Sequence, residues 1–129
     1  MRSDMIGKRV LLIENDTKCA KQIHAILYKN GIEPHIASTV RNAITWMMIN
    51  TFDVVALDEG LEGAACLIGL LTDLRQAKNT LLLLFPIEQL EARVSFLNCG
   101  FDMCLSMADP RECAAAICAL LRRPSVHEY

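Results

Sequence analysis

A chain of 129 residues is one domain's worth, and with 53% hydrophobic residues it holds material for a single core, so residues 1–129 read as one domain. A formal net charge of −2 with scattered basic residues excludes a general nucleic-acid surface, because backbone binding needs a cationic face. The apolar runs at 64–71 and 81–87 are too short to span a bilayer and the first eight residues carry no apolar leader, so a cytoplasmic protein without membrane contact is expected.

Along the chain, strand signals alternate with helix signals. Val10–Ile13 is an apolar run closed by Glu14-Asn15-Asp16. Thr17–Lys29 then places Cys19, Ile23, Ile26 and Leu27 on one helical face and stops at Asn30-Gly31. Glu33–Ala37 reads as a second strand, Val40–Ile49 as a helix, and Asp53–Leu57 as a third strand that runs into Asp58. Ala64–Ala77 reads as a helix, Leu81–Phe85 as a fourth strand, Glu88–Cys99 as a helix stopped by Gly100, Phe101–Leu105 as a fifth strand, and Asp109–Arg123 as the last helix. Five near-continuous apolar strands alternating with five helices predict a parallel sheet covered on both faces. With right-handed crossovers, this is an α/β doubly wound, flavodoxin-like (β/α)5 fold with strand order 2-1-3-4-5.

Cys19, Cys66, Cys99, Cys104, Cys113 and Cys118 include no C-x-x-C pair and are expected to be buried small hydrophobes. His24, His35 and His127 are single and widely spaced, which suits satisfied or surface histidines better than ligands.

Open parallel sheets place their sites outside the carboxyl ends of the strands, where strand order reverses. With the first and third strands adjacent, Glu14, Asn15, Asp16 and Asp58 meet at one rim. Asp16 is accounted for as a helix N-cap. Glu14 with Asp58 suits a hard divalent cation such as Mg²⁺, which takes one or two carboxylates together with waters and phosphate oxygens.

These segments resemble the response-regulator receiver domains of two-component signalling, of the CheY type, from about Arg9 to Arg123. Val10-Leu11-Leu12-Ile13-Glu14-Asn15-Asp16 is similar to the first strand and acidic pair. Val55-Ala56-Leu57-Asp58 is similar to the third strand ending in the phosphoacceptor, and Asn98-Cys99-Gly100-Phe101-Asp102 to the Gly-Ala-Asp step into the fifth strand. The resemblance implies Asp58 as the residue phosphorylated by a histidine kinase, Glu14 and Asn15 as acidic-pair positions, and the Gly60 carbonyl as a further Mg²⁺ ligand. It implies a signalling module, not an enzyme.

Three switch positions depart from that pattern. Phe85 stands where the family has Thr or Ser, Met107 stands where it has the lysine that grips a phosphoryl oxygen, and Cys104 falls at its aromatic switch position. Asn15 also replaces an aspartate. Three carboxylates with a lysine carry −2, and so do Glu14 and Asp58 alone, so the rim is not electrostatically frustrated. Phosphoryl transfer nevertheless depends on cations aimed at developing charge, and losing one donor typically costs about 2.7–4 kcal/mol. The expectation is an atypical receiver acting as a phosphorylation-independent dimerisation or interaction module. The alternative is a conventional Mg²⁺-dependent phospho-Asp receiver. A flavodoxin-like flavin enzyme is disfavoured by carboxylates where a phosphate loop belongs.

The last helix reads C-A-A-A-I-C-A-L-L over Cys113–Leu121, apolar on every side. The sheet covers one side, and the other is expected to be covered by a second copy. The resemblance points the same way, since receivers commonly dimerise through the last two helices and the strand between. The interface arginines of winged-helix regulators correspond to Ala116 and Cys118, which are expected to point outward into a less ionic homodimer. The ending Ala119–Pro124 resembles a receiver that leads into a DNA-binding output domain.

Overall fold

The computed structural model describes residues 5–122. His127, together with Arg123 and Pro124 of the expected link to an output domain, lies outside the described residues. The elements are β1 (Arg9–Ile13), α1 (Thr17–Lys29), β2 (Glu33–Ala37), α2 (Val40–Ile49), β3 (Val54–Asp58), α3 (Ala64–Lys78), β4 (Leu81–Phe85), α4 (Leu90–Cys99), β5 (Met103–Cys104) and α5 (Pro110–Leu121). The five strands are all parallel, in the order β2-β1-β3-β4-β5. Fold class and strand order are as the sequence predicts.

Strand side chains alternate between two cores, because successive residues of a strand face opposite ways. Val10, Leu12, Val54, Ala56, Leu83 and Phe85 pack under α1 and α5. Leu11, Ile13, Val55, Leu57, Leu82 and Leu84 pack under α2, α3 and α4. Each central strand is thus apolar on both faces, which is why its sequence shows no polar alternation.

Local signals account for the element ends. Asp16 caps α1 by accepting a hydrogen bond from the Cys19 amide at 3.1 Å, and Thr39 caps α2 by accepting one from the Asn42 amide at 3.1 Å. Gly100 ends α4 at φ 121°, a conformation that a side chain would strain. β1, β3 and α3 differ from expectation by no more than one residue at an end, and three further elements differ more visibly. Ile87 donates its amide to the Leu105 carbonyl at 2.8 Å, which holds 86–89 away from helical geometry and starts α4 at Leu90, with Gln89 as its cap. Asp109 caps α5 through the Arg111 amide at 2.8 Å, so it precedes the helix, which ends at Leu121. β5 is only Met103–Cys104, although backbone bonds from Asp102 to Leu82 and from Leu105 to Leu84 extend its pairing beyond that span.

The largest departure concerns α5. Ala116 and Cys118, expected to point outward, are 8% and 7% exposed and belong to the core beneath α1 and α5. The sheet covers one side of α5 and α1 packs along another, where small side chains let the two helices approach closely. No large apolar side chain of α5 is left exposed. The cysteines also divide. Cys19, Cys113 and Cys118 are buried as expected and Cys104 is half-buried, whereas Cys66 and Cys99 are exposed on α3 and α4.

At the amino-terminal ends of the strands, Asp102 is a structural anchor. It receives a bidentate contact from Arg75, with Nη2 at 2.6 Å and Nε at 3.0 and 3.2 Å, and accepts the Leu82 amide at 2.8 Å. Arg75 thereby ties α3 to the start of β5. No helix among the described residues is long and apolar enough to cross a membrane.

Candidate functional site

The rim at the carboxyl ends of β1 and β3 holds the candidate site. Alternation along the strands carries Glu14 and Asp58 onto the same side as Val10, Leu12, Val54 and Ala56, above the core of α1 and α5. Asp58 is half-buried and in parallel register with Phe85 of β4. Its Oδ1 accepts the Gly60 amide at 2.9 Å, and the Glu59 amide donates to the Phe85 carbonyl at 2.6 Å. Glu14 is 2% exposed, and its Oε1 accepts the Asp16 amide at 3.0 Å.

Burial first, and then a hydrogen-bonding contact with the Asp58 carboxyl, together push the Glu14 carboxyl up to about 7, against the opposing pull of the Asp16 amide. Near neutral pH a proton therefore competes for the space between the two carboxyls. The charge balance inferred from sequence treated Glu14 as fully ionised, and its burial overturns that assumption. Among the described residues no lysine or arginine forms an ion pair with Glu14, Asp16 or Asp58.

The structure brings Glu14, Asp58 and Phe85 together and leaves Asn15 exposed beside them. Phe85 is fully buried, and its ring joins the apolar core where a hydroxyl would face the acceptor. Met107 is 62% exposed in the loop between β5 and α5, and Cys104 is packed at the edge of the core under α2, α3 and α4. Two thiols border the rim unsignalled by sequence. Burial, then the negative field of Glu14, raises the Cys19 thiol to about 11, and burial chiefly raises Cys113 to about 12. Both are unreactive neutral groups that line the acid pair. No spacing motif marks them, because they come from α1 and α5.

For Mg²⁺ the donor chemistry fits a hydrated ion. Two carboxylates converge, each with one oxygen committed to an amide, and such an ion asks for one or two carboxylates with waters. Among the described residues no group of three His, Cys, Asp or Glu side chains is arranged to hold a metal. Glu14 and Asp58, with Asn15 and the Gly60 carbonyl in the positions the resemblance implies, would hold the ion. When bound it would neutralise phosphate oxygens at the rim.

No protein-family model matches the chain, and no curated protein matches it in sequence. Solved structures do. A receiver domain of the Francisella response regulator 1452 is 26% identical with a TM-score of 0.76, over 91% of this chain and 98% of that one. A CheY-like response-regulator receiver domain protein from Methanospirillum hungatei is 25% identical with a TM-score of 0.71, over 89% and 94%. An orphan response regulator of H. pylori is 19% identical and shares the fold, with a TM-score of 0.74 over 89% and 97%. The chain has the CheY-like fold and is similar over nearly its whole length to receiver domains of response regulators.

Proposed function

We propose that this receiver works without phosphorylation of Asp58, as a cytoplasmic protein-interaction module that self-associates and carries no enzymatic activity of its own. The observation that supports this most directly is the pairing of Asp58 with Phe85 in adjacent strands. A buried aromatic ring there offers no hydrogen bond to a phosphoryl oxygen, and Met107 offers no charge. Removing one such donor costs about 2.7–4 kcal/mol of transition-state stabilisation, and here two positions are altered. Cys104, at the position of the aromatic switch, has no ring with which to report a phosphoryl group.

The test is treatment with acetyl phosphate and Mg²⁺, read by intact mass. The expected result is protein that remains largely unmodified. A near-stoichiometric gain of one phosphoryl group, absent in Asp58→Ala, would overturn the reading in favour of a conventional receiver addressed by a histidine kinase. That second reading draws on the convergence of Glu14 and Asp58. The role in transcription and the winged-helix class of the parent regulator are extensions of the same proposal. Self-association through the last helices also belongs to it, but α5 contributes no exposed large apolar side chain, whereas α4 exposes Leu90, Val94 and Leu97 at i, i+4 and i+7.

A further inference from the structure

Exposed apolar surface is concentrated on one side of the molecule. Ile44, Met48 and Ile49 of α2, Leu70 of α3 and the stripe on α4 all lie on the layer that covers the core of Leu11 and Leu57. Of the opposite layer, α1 and α5 leave only Tyr28 as a large exposed apolar side chain. Between α2 and α3 this surface forms a groove of about 280 Å³, lined by Ile44, Met47, Met48, Leu70, Asp73 and Leu74.

We propose that the groove between α2 and α3 receives a second copy of this chain in an isologous, two-fold contact. The inference rests on the reading of the chain as an interaction module and names the surface it uses. Its argument is charge placement. Helices that follow parallel strands run parallel to one another, and Val40 at the start of α2 abuts Gly63 at the start of α3, so the two helices begin at one level. Arg41 then stands one turn before the lining residue Ile44, just beyond the amino-terminal end of the groove, on the stripe of Ile44 and Met48. Asp73 stands toward the other end, on the stripe of Leu70. Neither forms an ion pair among the described residues.

A two-fold axis through the middle of the groove exchanges its ends. It brings Arg41 of each copy to Asp73 of the other, twice, around an apolar centre that meets itself. A foreign helix carrying a basic residue would match Asp73 and leave Arg41 unanswered. A second copy answers both. Met47 and Met48 suit such a contact, because flexible thioethers adapt to a facing copy of themselves.

The test is sedimentation equilibrium of the unphosphorylated full chain, with the fold of each variant checked by circular dichroism. Wild type is expected to dimerise reversibly. Arg41→Glu and Asp73→Arg should each weaken the dimer about tenfold or more, because like charges then face each other. Arg41→Glu/Asp73→Arg should restore it to near the wild-type affinity. Met48→Glu should abolish dimerisation, and Val94→Glu on α4 should leave it unchanged. A wild type monomeric at high micromolar concentration, a charge swap that fails to restore, or loss in Val94→Glu with Met48→Glu unaffected would each overturn the groove. Phosphate uptake at Asp58 in a chain that still dimerises this way would instead overturn only the phosphate-independent reading.

Discussion

Glu14 combines near-complete burial with a carboxylate neighbour, and the consequence is a measurable pH dependence. Its folded value of about 7 lies above the ordinary 4.5, so between those pH values the folded chain holds a proton that the unfolded chain has released. The Glu14 contribution to stability is therefore expected to be fully present at and below about pH 4.5, to be lost as pH rises through about 7, and to stay constant above. At 1.36 kcal/mol per pH unit the full effect is about 3 kcal/mol. Urea unfolding midpoints in the presence of a chelator measure it, and Glu14→Gln should remove the slope. A wild-type profile flat across that window would sink the assignment. Met107 supports a complementary gain of function. The position is exposed, so Met107→Lys should fold normally and place an ammonium in the loop beside the rim. Intact mass after acetyl phosphate and Mg²⁺ should then reveal modification of Asp58 that wild type lacks; no modification would mean that Phe85 alone blocks the site. The rim was legible in sequence as far as its composition, because strand ends in a doubly wound fold collect at one place. The charge state of Glu14 was not, since it depends on how much of α1, β3 and β4 closes over the carboxyl, which no local pattern records.

Among the elements, α5 tests how far a hydrophobic pattern can be read. A run without polar side chains tells that a helix is covered all round and leaves open by what. Here the second cover is α1 within the same chain. Ala116→Glu or Cys118→Glu is thus expected to act on folding, placing a carboxylate in an apolar layer without a partner at a cost of about 2 kcal/mol or more. A substituted protein with an unchanged unfolding midpoint would return these positions to the surface. The strands were legible because each central one is an uninterrupted apolar run, and the starts of α1 and α2 because Asp16 and Thr39 are in capping position. The start of α4 was not, because Glu88-Gln89 looks helical in isolation and is held extended by a bond from Ile87 to β5's far end. Asp102 was read as part of a motif, whereas its structural role rests on Arg75, 27 residues distant. Its side chain is 5% exposed, whereas that of Arg75 is 37% exposed and can turn to water, so Asp102→Ala, which leaves the Leu82 amide without this acceptor, is expected to cost about 1–3 kcal/mol in urea unfolding. A loss of a few tenths would reduce the pair to a surface contact.

At the scale of the molecule, the two helix layers are chemically unlike. One pairs α1 with α5 through small and branched side chains and turns lysines outward; the other leaves leucines and methionines facing water. On the proposed reading, with Phe85 and Met107 in place of phosphoryl-binding groups, that second layer supplies the surface with which the chain would meet another protein. The same asymmetry sorts the thiols, and it turns the native protein into its own footprinting reagent. Cys66 and Cys99 lie on the water-facing layer, and Cys19, Cys113 and Cys118 lie in the closed one. A maleimide should alkylate Cys66 and Cys99 quickly, the half-buried Cys104 more slowly, and the three buried thiols only as the chain unfolds, with peptide mass spectrometry assigning each. Cys66 sits one turn before Leu70 on the stripe that leads to Asp73, while Cys99 ends α4. Raising the protein concentration should therefore slow alkylation at Cys66 and leave Cys99 as the unprotected clock against which it is timed.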